Sequence, residues 1–179
     1  VVVAYRPDID SVCANLRAIR EQVRHCLLVV NGALSPAAED RLRRELEDAA
    51  ALMINAGNLG LAYAQNLGIE RARQLGAGQV LLLDQDSQPA PGMVKALADA
   101  LAELQLSGLR PAAIGPRHEA PGEDNVDWPG FVRIRPWGMT RVRAGRSDRP
   151  VACDFLIASG SLIPMPVLDA VGGMHDELF

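Results

Sequence analysis

Two carboxylates one residue apart follow a run of leucines in this chain. Residues 81–87 read LLLDQDS, so Asp84 and Asp86 come directly after an apolar segment that is typical of a buried strand. Ligands of open α/β sheets bind at the carboxyl ends of strands, and alternation along an extended chain places both carboxylates on one side. Such oxygen ligands suit Mg²⁺ or Mn²⁺ held jointly with the phosphates of a substrate. A solvated turn after a buried strand is the alternative interpretation.

A segment rich in glycine and asparagine, NAGNLGLAYAQNLG at residues 55–68, lies between a predicted strand and a predicted helix. Glycines let the backbone approach a ligand, Asn58 and Asn66 supply amide donors and acceptors, and a helix start offers free N–H groups to an anion. The segment is not a dinucleotide fingerprint, because Gly57 and Gly60 are three apart and the segment follows the third predicted strand. A glycine turn capped by an asparagine would explain the same residues without a ligand.

The elements that must position these residues alternate between strand and helix. Apolar runs predict strands at residues 1–5, 26–30, 51–54, 79–83 and, weakly, 112–114, and helical spacing or caps predict helices at 12–23, 35–50, from 60 to 76 and from Pro91. Alternation with short connections predicts an α/β fold with a mostly parallel, Rossmann-like sheet flanked by helices, an αβα sandwich.

After Gly115 the pattern changes. Residues 131–135 and 140–143 alternate apolar and basic side chains and predict a hairpin, while 151–157 and 161–163 predict further strands. Pro166 opens a last short helix that ends at Gly172.

Composition narrows the class of protein. The 179 residues suffice for one domain, and the net charge of −4 argues against nucleic acid as a partner. Cys13, Cys26 and Cys153 show neither metal-ligand spacing nor a disulfide framework. This cysteine usage makes a cytoplasmic location the default expectation. No apolar run is long enough to span a bilayer. The chain begins inside a predicted strand without Met, and we expect it to be a fragment of a longer protein.

Four segments taken together resemble the family 2 glycosyltransferases of the GT-A fold, specifically their rhamnosyltransferase-like branch. They are VVVAYRP at 1–7, the glycine segment at 55–68, LLDQDS at 82–87 (similar to the metal-binding D-x-D) and SGSLIPMPVLDAVGGMHDELF at 159–179. The resemblance implies a single GT-A glycosyltransferase domain over 1–179, with a nucleotide-donor half at 1–115, an acceptor half at 116–179 and a truncated C-terminus.

The resemblance also implies roles for particular residues. Asp86 would bind a Mg²⁺ or Mn²⁺ ion on the donor diphosphate, and Asp84 would contact the ribose or the metal. The residues expected to line the nucleotide site, the first two near the base, are Tyr5, Arg6, Asn58, Gly60, Ala62 and Asn66.

The chain departs from the family pattern at three places. The family usually has an aspartate after its second strand that contacts the pyrimidine, and here Asn31 is the nearest substitute. Arg6 stands where the family often has Asn. The family's catalytic carboxylate lies in an E-D motif that would fall beyond Phe179. Asp176 and Glu177 are therefore the catalytic candidates within the chain, with shaping of the acceptor side as their other interpretation.

The activity implied by the resemblance is metal-dependent transfer of a sugar, rhamnose or another deoxyhexose, with inversion, in polysaccharide biosynthesis. The donor would be dTDP- or UDP-linked and the acceptor a glycan or a lipid-linked glycan. Arginines at 133–149 could meet a lipid-linked pyrophosphate or the inner face of a membrane, although a solvated hairpin face is the plainer interpretation. His118 and His175 are interpreted as surface or capping residues.

Two other functions stay open. A non-catalytic nucleotide-sugar-binding domain would fit the missing E-D motif and Asn31. A sugar-nucleotide pyrophosphorylase is also metal-dependent, but it should have a basic glycine-rich loop after its first strand, which AYRPD at residues 4–8 lacks.

Overall fold

A computed structural model describes residues 1–46, 51–118, 131–142 and 149–178. Strands and helices alternate along the first two thirds of the chain, as the apolar patterns predict. The elements are β1 (Val2–Ala4), α1 (Ile9–Arg20), β2 (Leu28–Val30), α2 (Pro36–Leu46), β3 (Leu52–Ile54), α3 (Leu61–Gln74), β4 (Gln79–Leu81), β5 (Leu83–Asp84), α4 (Met93–Leu106), β6 (Phe131–Arg135), β7 (Gly138–Val142), β8 (Leu162–Pro164), α5 (Met165–Val171) and a 3₁₀ helix (Asp176–Leu178). The predicted end of α2, near Ala50, lies outside the described residues.

The main sheet has four parallel strands in the order β3-β2-β1-β5. Alternate residues of β1 and β2 pack on opposite faces, which explains why these strands are apolar throughout. Val2 and Leu28 join the large core that contains Leu16 of α1, whereas Val3 and Val29 pack against Ala64 of α3. The sheet is flanked by helices, and the predicted Rossmann-like α/β class is confirmed.

The predicted strand at 79–83 is divided between two sheets. Its first part, β4, pairs antiparallel with β8, and its last part, β5, pairs in parallel with β1. Leu82 lies between them, with its N–H donating to the Ser161 carbonyl (3.0 Å) and its carbonyl accepting from Gly160 N–H (2.7 Å). One continuous stretch therefore joins the parallel sheet to the C-terminal third of the chain.

Two predicted strands are wrong. Residues 112–114 form only a single bridge, Ile114 to Leu162, and residues 151–157 only a bridge between Val132 and Phe155. In the second case the Asp154 carboxylate accepts a hydrogen bond from Ile134 N–H (2.8 Å), so a side chain replaces the next backbone bond.

The C-terminal third otherwise follows prediction. The β6–β7 pair is the expected antiparallel hairpin, and α5 ends at Gly172, whose φ of 89° suits glycine. None of the helices described is long and apolar enough to cross a membrane.

Candidate functional site

Most of the predicted donor-site residues lie at the carboxyl edge of the main sheet. The chain builds the sheet outward from β1 to β3 and then places β5 on the other side of β1. Strand order thus reverses between the paired strands β1 and β5, and open α/β sheets bind ligands outside the carboxyl ends of the strands at such a point. Tyr5 and Arg6 leave β1 at this point, and Gln85 and Asp86 leave β5.

Gln85 connects the residues that follow β5 to those that follow β1 and to α1. Its side-chain Oε1 accepts from Tyr5 N–H (3.0 Å), and its backbone carbonyl accepts from Nδ2 of Asn15 (2.5 Å). Asn15 belongs to α1 and is buried. Neither Gln85 nor Asn15 was predicted from the sequence. The position of Gln85 between two aspartates was the available signal, whereas nothing local marks Asn15.

The two aspartates differ in setting. β5 ends at Asp84, and Ser87 N–H bonds back to the Asp84 carbonyl (3.2 Å), so a turn carries Asp86 into solvent. The alternation used in the sequence argument therefore stops at Asp84. Partial burial, together with the charge of Asp86, raises the pKa of the Asp84 carboxyl, and His118 opposes that shift.

This pair of carboxylates suits a cation that is bound jointly with substrate phosphates better than one bound by protein ligands alone. In the described part of the chain, no group of three or more His, Cys, Asp or Glu side chains could hold a metal ion. Magnesium commonly uses one or two protein carboxylates and takes its other ligands from water and substrate phosphates. Asp84 and Asp86, whose negative charges disfavour each other, could supply those protein ligands.

Asn31 organises the glycine segment. It follows β2 and is only 3% exposed. Its Nδ2 donates to Asn58 Oδ1 (2.8 Å) and to the Gly60 carbonyl (3.0 Å), and its Oδ1 accepts from Asn55 Nδ2 (3.0 Å) and Leu59 N–H (3.0 Å). These four bonds use the full capacity of a side-chain amide. A pyrimidine edge would have to compete with the loop for this side chain.

Gly60 ends the segment and begins α3. Its φ of 88° favours glycine, and no side chain caps the helix start. The start of α3 is therefore open to an anion. Ala62 is buried at this start. Asn66, by contrast, uses its amide on the backbone of Met174, far along the sequence.

Tyr5 and Arg6 form the outer part of the site. The Tyr5 ring is 42% exposed and lies near Gly32, and the Arg6 guanidinium carbon is 5.2 Å from the ring centroid. Arg6 has a φ of 46°, a left-handed backbone that is uncommon for a non-glycine residue and clusters at functional sites. An aromatic face and a cation thus lie together after β1.

A serine from the C-terminal third supports the turn at residues 84–87, which we call the aspartate turn. The buried Ser159 hydroxyl accepts from Asp84 N–H (3.0 Å) and bonds with the Ser87 hydroxyl (2.5 Å). A Cβ on the neighbouring Gly160 would lie 3.6 Å from Cε1 of His118. His118 is exposed, as the sequence interpretation expects, and its charge lowers the pKa of the Asp84 carboxyl against the two effects that raise it.

The catalytic candidates Asp176 and Glu177 are exposed on the 3₁₀ helix, which packs against α3. The contact between the 3₁₀ helix and α3, which begins at the end of the glycine segment, fixes the position of both carboxylates.

Over its whole length the chain is similar to a protein of Shigella flexneri named dTDP-rhamnosyl transferase RfbF. The two are 25% identical over 181 residues, which cover 100% of this chain and 57% of that protein. The chain thus spans somewhat over half the length of this relative. No protein-family model matches the chain. The similarity supports, at a distance, a relationship to the glycosyltransferases.

Proposed function

We propose that this chain forms the donor-binding region of a family 2 glycosyltransferase that moves a sugar, a deoxyhexose such as rhamnose, from a nucleotide diphosphate to a glycan or lipid-linked acceptor. The observation that carries the proposal is that the Tyr5–Arg6 pair, the glycine segment and the turn after β5 all lie at the carboxyl edge of one parallel sheet. Tyr5 is bonded to Gln85 across the point where strand order reverses, and the glycine segment is bonded to Asn31 after β2. The distant similarity to a protein named as a dTDP-rhamnosyl transferase supports the same class of reaction.

In this proposal the donor lies across the carboxyl edge of the sheet. The uncapped start of α3 and the Arg6 guanidinium offer N–H donors and positive charge to the diphosphate. The Tyr5 ring offers an apolar face to the base. Asn31 acts mainly by fixing the glycine segment, because its amide is already fully bonded.

Asp84 and Asp86 would hold a Mg²⁺ or Mn²⁺ ion together with the donor phosphates. When bound, such an ion neutralises the charge that develops on the departing diphosphate. Ser159 keeps the Asp84 backbone in place for this arrangement through its hydroxyl.

The acceptor hydroxyl must lose its proton as it attacks the anomeric carbon, and a carboxylate is the natural general base. Asp176 and Glu177 are the candidates here, and attack on the face opposite the diphosphate gives inversion. If the base lies outside this chain, these two residues shape the acceptor side instead.

Calorimetric titration of the full-length protein tests the donor site. We expect dTDP or UDP to bind more tightly than ADP or GDP, and to bind only weakly without Mn²⁺. Asp86→Ala should abolish the Mn²⁺ effect, whereas Asp40→Ala, on the exposed face of α2, should leave it intact. Equal affinity with and without Mn²⁺ would contradict the metal role.

Transfer from dTDP-rhamnose separates the enzyme from the non-catalytic alternative. A protein that binds dTDP with Mn²⁺ but neither transfers nor hydrolyses the sugar would be a nucleotide-sugar-binding module. Asp176→Asn and Glu177→Gln, measured singly, should identify the base by a loss of about 10²–10⁴ in rate.

A further inference from the structure

Two hydrogen bonds join α3 to the segment that follows α5. Nδ2 of Asn66 donates to the Met174 carbonyl (2.8 Å), and Met174 N–H donates to Oδ1 of Asn66 (2.7 Å). The side-chain amide of Asn66 thus bonds to both backbone polar groups of Met174, as the backbone of a neighbouring strand does in an antiparallel pair. Its oxygen and one N–H are thereby committed to a partner 108 positions away in the sequence.

The residue before Met174 is shaped for this contact. A Cβ on Gly173 would lie 2.4 Å from Oδ1 of Asn66, closer than real side-chain carbons approach an oxygen. The φ of Gly173 is not in the left-handed region, so its backbone conformation does not require glycine. The absence of a side chain is what this position needs.

A second contact lies on the same face of α3. Arg73, seven residues or about two turns beyond Asn66, donates through Nε (3.0 Å) and Nη2 (2.9 Å) to Asp169 of α5. The two contacts fix both α5 and the segment after it against one helix.

That helix begins at Gly60, the end of the glycine segment. With a rise of about 1.5 Å per residue, Asn66 lies only about 8 Å along the axis from the first helical residue. The same rigid element thus carries the glycine segment at its start and the Gly173–Met174 contact a turn and a half later.

We infer that Asn66 is a positioning residue: it fixes the Gly173–Glu177 segment, and with it the Asp176 and Glu177 carboxylates, at a set distance from the donor site. Its consequence for transfer rests on the proposed function, whereas the contact itself does not. In this role Asn66 acts on the acceptor side of the reaction and does not line the nucleotide.

Hydrogen exchange at the Met174 amide in the full-length protein tests the contact directly. We expect this amide to be protected in the unaltered protein and to exchange about two- to tenfold faster in Asn66→Ala, as loss of a net hydrogen bond implies. Asn66→Asp should also accelerate exchange, because it sets a carboxylate oxygen against the Met174 carbonyl. The exposed Gln74→Ala, on the same helix, is the control and should change nothing. An equally protected amide in Asn66→Ala would overturn the inference.

A double-mutant cycle with Gly173→Ala adds a second test. Gly173→Ala alone should accelerate Met174 exchange, because its Cβ meets Asn66 Oδ1. In the Asn66→Ala background the same change should add little, because the clashing atom is gone. Additive effects of the two changes would contradict the contact.

Kinetics then assign the role. We expect Asn66→Ala to lower kcat for transfer about tenfold or more while the Kd for dTDP with Mn²⁺ stays within about twofold. A raised Kd with unchanged kcat would place Asn66 in the nucleotide site and overturn the inference. Absence of transfer by the unaltered protein would contradict the proposed function, and the exchange experiment would still decide the contact.

Discussion

At the scale of the residue, the setting of Asp84 disfavours its ionised form. Partial burial and the neighbouring Asp86 charge raise its pKa, so the ionised carboxylate is less favourable in the folded protein than in the unfolded chain. The resulting loss of folding stability is absent below the ordinary aspartate pKa of about 4. It is fully present once the pH exceeds the raised pKa of Asp84 in the folded protein. A bound cation would remove the repulsion that contributes to it.

Asp84→Asn should therefore stabilise the metal-free protein at pH 7, by at most about 1 kcal/mol because solvent screens a half-exposed group. The gain should vanish below about pH 4, where Asp84 is protonated in both states. The same change should weaken Mn²⁺-dependent dTDP binding. Urea unfolding without divalent ions measures the first effect and calorimetry the second. Asp40→Asn, on an exposed helix face, should show neither. A loss of stability in Asp84→Asn at pH 7 would contradict this account.

The sequence could predict where candidate residues lie along the sheet but not which atoms they contact, and the binding role of these residues stays a prediction. The sequence marked Asp84, Asn31, Gly60 and Tyr5, and the structure places them along one sheet edge. It did not show that the Asn31 amide is spent on the glycine segment, or that Asn66 bonds to Met174. Such pairings depend on tertiary approach, which no local pattern encodes.

At the scale of the element, Gly60 decides how the glycine segment enters α3. Its φ of 88° and ψ of 153° lie where side chains other than glycine are strained. Gly60→Ala should destabilise the protein by about 1–3 kcal/mol and weaken dTDP binding, because the start of α3 would shift. Gly57→Ala is the matched control: no atom lies within 4 Å of its Cβ position and its φ is not left-handed, so we expect a change under about 1 kcal/mol. Urea unfolding compares the two, and equal losses would contradict the role given to Gly60.

Helices and strands were predictable to different degrees. Helical spacing and caps predicted the presence of α1 through α5, because the longer helices repeat their apolar face over several turns and the seven-residue α5 follows a proline. The bounds were less exact, since α1 runs from Ile9 to Arg20 where the spacing predicts 12–23. Strands of two to five residues carry little periodic signal, and the 79–83 run could not reveal that it is divided between two sheets. The 151–157 segment looks like a strand by composition, but the Asp154 side chain takes a backbone N–H from the hairpin instead.

At the scale of the whole molecule, the continuous stretch that contains β4 and β5 joins the parallel sheet to the C-terminal third of the chain. β4 pairs with β8 and β5 with β1, so neither sheet can open fully without disturbing the other. The β1 and β8 segments share one large core as well, through Val2 and Leu162. Among the residues described, the parallel sheet and the β4–β8 pair therefore share strand pairing and core.

We accordingly expect a single cooperative unfolding transition. Two backbone amides report on the two sheets. The Asn31 N–H donates to the Ala4 carbonyl (2.7 Å), and the Leu162 N–H donates to the Ile114 carbonyl (2.7 Å). In native-state hydrogen exchange both should open with the same free energy and the same dependence on denaturant. Opening of Leu162 at clearly lower free energy would show that the C-terminal third unfolds on its own.

The closed bonding of Asn31 also bears on the chemical lifetime of the protein. Asn31 precedes Gly32, and in a mobile Asn-Gly pair the following backbone nitrogen attacks the side-chain amide and converts asparagine to aspartate or isoaspartate. Here the Asn31 side-chain amide is buried and held by four hydrogen bonds, so these bonds must break before the amide can react. Deamidation would remove both Nδ2 donors and leave a carboxylate facing Asn58 and the Gly60 carbonyl. The hydrogen bonds that hold the glycine segment in place should thus also slow the deamidation that would break them.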